Sequence, residues 1–147
     1  MKKTICVLAI VLLVATVAFG AAKATKGKIS KDNVGQLKGT WEGTCSFGEF
    51  GGIQPNSPAK LEITSDGVPV NAKLTLSNVP GPVAQQLGVM EGKAAFENGD
   101  GQITSQGSVM FTGPDKNFME ITLSGEKGLR GWYFYKGLKG DLNLKKK

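Results

Sequence analysis

Between Trp41 and Leu144, apolar and polar side chains alternate with a period of two, and turn residues cut the run into about eight short segments. Successive side chains of a strand point to opposite faces, so this period predicts strands with one dry face and one wet face. The first segment, Gly39 to Phe47, sets Trp41, Gly43, Cys45 and Phe47 against Thr40, Glu42 and Thr44. A second places Leu61 and Ile63 inward and ends at the turn Ser65-Asp66-Gly67. A third sets Val70, Ala72, Leu74 and Leu76 against Asn71, Lys73, Thr75 and Ser77. The fourth spans Val89 to Glu97, and Asn98-Gly99-Asp100-Gly101 after it reads as a hairpin turn, because these residues accept positive φ at low steric cost. The fifth then runs from Gln102 to Thr112. The sixth turns Met119, Ile121 and Leu123 inward, and the seventh, Arg130 to Tyr135, does the same with Trp132 and Phe134. Leu142 and Leu144 mark the last.

Short turns between near neighbours make a meander. A sheet of eight strands left open would expose two edges, so closure is favoured. The expected fold is all-β, a single antiparallel up-and-down barrel of about eight strands, with a β-sandwich as the alternative. An outer-membrane barrel shares the alternation. Short sixth and eighth strands, no aromatic girdles and the ending Lys145-Lys146-Lys147 favour a soluble barrel. In a meander every second connection lies at the same rim. The two long ones, Gly48 to Ser57 and Asn78 to Gly88, therefore sit together, the latter with a helical turn around Val83 to Leu87. Phe47, Phe50, Ile53, Val79, Val83 and Leu87 are the candidate ligand-binding residues at that mouth.

The leader sets the expected compartment. Lys2 and Lys3 precede an uncharged stretch, Ile5 to Phe19, and both Ala18-Phe19-Gly20 and Ala22-Lys23-Ala24 satisfy the small-x-small cleavage rule. A signal peptide over residues 1–20 is expected, cut after residue 20 or 24. A periplasmic or secreted chain would follow, with no transmembrane span once the leader is gone. Residues 21–38 then form an arm with a helical turn after Ser30, and residues 39–147 form the barrel with a basic tail. Of 147 residues, 127 remain past Gly20, one domain's length. Cys6 falls in the leader, so Cys45 is the only mature thiol and no internal disulfide can form. Asn56-Ser57-Pro58 is in the wrong register for a glycosylation acceptor, which fits a bacterial export substrate.

Catalytic chemistry is sparse. The chain has no histidine, which excludes Ser-His-Asp triads and histidine metal sites. The carboxylate pairs Glu91 with Glu97 and Glu42 with Glu62 fall on predicted solvent faces. No enzyme activity, catalytic residue, metal or cofactor is expected. Lys127, Arg130, Lys136, Lys139 and Lys145 to Lys147 make the last strands basic. Such lysines usually serve solubility, and no nucleic-acid partner is expected.

Gly39-Thr40-Trp41 at the start of strand one, after a helical turn and before a string of hairpins, resembles the lipocalin and wider calycin pattern. That resemblance implies that Trp41 packs across the closed end of the barrel beneath a basic side chain, with Arg130 or Lys139 as candidates. Gly39, Trp41 and Arg130 are thus the expected structural barrel end. The motif is also similar to that of avidins and of small exported bacterial protease inhibitors. The predicted interior carries no charge, so a ligand held there would be apolar, a lipid or acyl chain. Two functions follow: an exported module binding a hydrophobic small molecule, or a protein-protein device such as a protease inhibitor working through the 21–38 arm or the loop rim.

Overall fold

The computed structural model describes residues 27–49, 52, 54–90 and 92–147. Eight antiparallel strands close in chain order: β1 (Gly39–Phe47), β2 (Asn56–Ile63), β3 (Val70–Ser77), β4 (Lys93–Ile103), β5 (Val109–Thr112), β6 (Phe118–Leu123), β7 (Gly128–Tyr135) and β8 (Leu138–Lys146). The seam is β1 on β8, from Trp41 opposite Lys146 to Phe47 opposite Gly140. This pairing decides between barrel and sandwich, because the first and last strands bond to each other where an open sheet would leave both as edges.

Inside, the alternation holds well. Trp41, Phe47, Leu61, Ile63, Val70, Leu74, Leu76, Phe111, Met119, Ile121, Leu142 and Leu144 are all buried. The short helix α1 (Gly81–Leu87) lies in the connection from β3 to β4, and a 3-10 turn, Val34–Leu37, precedes β1. These pieces occupy opposite ends. The β1–β2, β3–β4, β5–β6 and β7–β8 connections share the α1 rim, as the meander requires. Residues 27–38 of the arm lie at the other rim, where the Ile29 N–H donates to the Gly107 carbonyl at 2.7 Å and Lys38 pairs with Asp66.

Three expectations are corrected. The predicted fourth strand, Val89 to Glu97, starts later and runs straight through the predicted hairpin turn to Ile103. Ala72 pairs with Asn98 but Val70 pairs with Gly101, so β4 carries one extra residue there, with Asp100 at φ 54. Asn98-Gly99-Asp100-Gly101 is a β-bulge, which uses the same positive-φ tolerance as a turn. The predicted fifth strand shrinks to Val109–Thr112, because the hairpin lies at Thr104–Ser108, closed by Thr104 N–H to Ser108 O at 2.8 Å.

The third correction concerns β7. Tyr133 points inward and is buried, whereas Trp132 and Phe134 face outward. Tyr133 sits opposite inward Met119, and Trp132 sits opposite Glu120. Burying Trp132 would carry Arg130, two positions before it, into the core, and an unpaired buried charge is too costly.

Candidate site beneath a short helix

α1 caps one barrel end. Pro80 precedes it in an extended conformation and Pro82 stands in its first turn, where a fixed φ and a missing N–H cost nothing. It ends at Gly88, left-handed at φ 69, with the Val89 N–H closing onto the Ala84 carbonyl at 3.0 Å. Val83, Ala84 and Leu87 share its buried face. Seven residues are too few to hold a helix alone, so packing on the barrel sustains it. The polar ties are few. Lys136 Nζ donates to the Leu87 carbonyl at 3.1 Å, and Gln86 Nε2 reaches the Lys136 carbonyl at 3.4 Å. Lys136 stands in a two-residue hairpin loop with Gly137, both at positive φ (49 and 78), and places a cation at the helix C-terminus.

Toward the α1 rim the barrel's inner walls carry the packed, inward-facing Cys45 and Phe47 of β1, Ser57 of β2, Phe96 of β4, Tyr133 and Tyr135 of β7, and Leu138 of β8. Phe96 spans the interior to the Tyr133 ring (centroids 4.7 Å apart) and meets Tyr135 edge-on at 5.8 Å. Gly140 makes room for this cluster. A Cβ there would fall 2.5 Å from Cys45 Sγ and 3.1 Å from the Phe47 ring. Within these apolar walls, Tyr133 Oη and Ser57 Oγ are buried without a hydrogen-bond partner. Burial pushes the Cys45 thiol up to about 12, with the Asp141 carboxylate adding to the effect, so it stays protonated. Burial, followed by Tyr135 and Cys45, likewise raises the Tyr133 phenol above its ordinary value.

Phe47, Val79, Val83 and Leu87 lie at the α1 end of the barrel, all as buried side chains. Phe50 and Ile53 lie outside the described residues. Three surface hollows of about 350, 550 and 490 Å³ are lined by none of these four. Ser57, Tyr133 and Gly140 escaped sequence reasoning. Ser57 shares parity with inward Leu61 and Ile63, a signal that was available.

The opposite end is closed by Ile29, Val34, Leu37 and Trp41, all buried. Trp41 Nε1 donates to the Leu37 carbonyl at 2.7 Å. The cation over its ring is Lys146, 5.3 Å from the centroid, in place of Arg130 or Lys139. Arg130 is exposed on the outer wall, and Lys139 pairs with Asp141 at the α1 rim. Lys146 has the inward parity of Leu142 and Leu144, so at the strand end its stem crosses Trp41 while its ammonium reaches the Gln36 carbonyl. Gly39, at φ 124, starts the strand beside it.

Among the described residues, no three His, Cys, Asp or Glu side chains group as metal ligands, and no helix is long and apolar enough to cross a membrane. Glu42, Glu62 and Glu97 each pair with a lysine on the outer wall, while Glu91 lies outside the described residues. The chain matches no protein-family model, no curated protein and no solved structure.

Proposed function

We propose that this protein is an exported, lipocalin-like binding module that takes one apolar ligand with a single polar head, a fatty acid or similar acyl compound, beneath α1. The observation that carries this reading is the pair of partnerless hydroxyls, Tyr133 Oη and Ser57 Oγ, within apolar walls at the end that α1 covers. Ligand sites commonly combine apolar walls with a few convergent polar groups. A buried hydroxyl without a partner costs roughly 1–3 kcal/mol, which an incoming carboxyl or hydroxyl would relieve. α1 acts as the lid. Its displacement breaks two polar ties and opens a mouth lined by Phe47, Val79, Val83 and Leu87.

The test is titration with the apolar fluorophore N-phenyl-1-naphthylamine, followed by displacement with palmitate. One-to-one binding, displaced by palmitate and weakened about tenfold in Tyr133→Phe, is the expected result. Absence of fluorophore uptake, or displacement that Tyr133→Phe leaves unchanged, refutes it.

A further inference from the structure

We propose that the outer wall formed by β6, β7 and β8 docks on an anionic phospholipid bilayer. This surface is separate from the barrel end that α1 covers and does not depend on the ligand proposed there. In register across the wall, Phe118 pairs with Phe134 and Phe134 with Lys139. In the next row Glu120 pairs with Trp132 and Trp132 with Asp141, and beyond it Thr122 pairs with Arg130 and Arg130 with Asn143. All these side chains point outward, so two phenyl rings and an indole form one patch on a face that alternation would make polar. Phe134 is 37% exposed, and at the same rim Met90, in the connection after α1, is 86% exposed. A grouped apolar patch on an outer surface marks an interaction site more often than scattered residues do.

Charge selects the partner. Residues 118–147 hold seven Lys and Arg against three Asp and Glu, whereas residues 27–117 hold seven against nine. From Gly27 onward, the excess of cations is therefore confined to the segment that carries the aromatic rows. Lys139 and Lys147 have carboxylate partners, while Arg130, Lys127 and Lys145 form no ion pair among the described residues. The patch holds two acids: Asp141 pairs with Lys139, and Glu120 has one oxygen taken by the Trp132 indole N–H at 2.8 Å and the other by the Ser108 hydroxyl. Cations flanking aromatic rings suit the headgroup region, where lipid phosphates meet the cations and the rings enter the acyl boundary. The wall of a barrel is convex, and a bilayer deforms around a convex surface where a rigid protein would need a matching hollow.

The experiment uses the chain from Ala21 onward, which contains the whole described barrel and lacks the apolar leader stretch that would bind lipid by itself. Sedimentation with vesicles of phosphatidylcholine containing about one third phosphatidylglycerol should capture the protein. Vesicles of phosphatidylcholine alone, or 1 M salt, should release it. Trp132 emission should shift to the blue on binding, and buried Trp41 adds little to that change. Phe134→Ser with Arg130→Gln should lower the partition coefficient at least roughly tenfold. Val68→Ser, which removes an equally exposed apolar side chain far from the wall, should not. Thermal melts of each variant separate lost docking from lost folding. Equal capture by neutral vesicles, no capture at all, or retention by the folded double variant overturns the proposal. So does a dimer in sedimentation equilibrium that Phe134→Ser dissolves, because the face would then belong to a second copy.

Discussion

At the scale of single residues, the interior under α1 is chemically unusual because it holds two weak acids whose charged forms it cannot solvate. Cys45 keeps its proton to about pH 12 against an ordinary 9.0, and Tyr133 is raised above 10.0. A folded-state value above the unfolded one means that the unfolded chain releases the proton first. The stabilisation is therefore complete below about pH 9 and drains away as pH climbs toward 12. Urea unfolding at pH 7 and pH 10.5 should show a drop in stability at the higher pH. Tyr133→Phe should shrink that drop and raise stability at pH 7 by about 1 kcal/mol, because it removes a buried hydroxyl without a partner. A Tyr133→Phe protein less stable at pH 7, with an unchanged alkaline loss, would show that the hydroxyl is satisfied. The same parity that buries Tyr133 was readable beforehand. Arg130 shares its face with Trp132 and Phe134, and a cation belongs outside.

At the scale of elements, boundaries were legible wherever alternation and punctuation agreed. β1 and β3 fall where their apolar rows and flanking glycines and serines place them. β4 and β5 were misread because Asn, Gly and Asp report only a local preference for positive φ. Whether that residue ends a strand or bulges it depends on β3, which stays paired on both sides of Asp100. The bulge gives a direct expectation. Asp100→Val forces a β-branched side chain into left-handed backbone and should cost about 1–2 kcal/mol in chemical denaturation, while Asp100→Gly should cost almost nothing. Equal effects would mean that the bulge does not persist in solution.

At the scale of the whole molecule, the arm is structural from Gly27 onward. Ile29, Val34 and Leu37 are buried, and the Leu37 carbonyl satisfies the Trp41 indole. A chain lacking residues 21–35 should lose several kcal/mol, since each large buried apolar side chain removed costs roughly 2–5 kcal/mol. Its Trp41 emission should move to the red. Unchanged emission and stability would show that the arm does not plug the barrel. An inhibitor working through this arm would have to withdraw Ile29 and Val34 from the core, which weighs on the side of the ligand-binding reading.

Alternation along the chain suffices to specify strands, their inward rows and a barrel-sized meander, because side-chain direction in a strand repeats every two residues whatever lies beside it. It also places the two long connections at one rim. Which side chain covers Trp41, whether Asn98 to Gly101 turns or bulges, and whether Val83 and Leu87 line an open mouth or seal it are settled between strands far apart in sequence. Lys146 comes within 5.3 Å of Trp41 only because β8 closes on β1, and no local pattern encodes a contact 105 residues away.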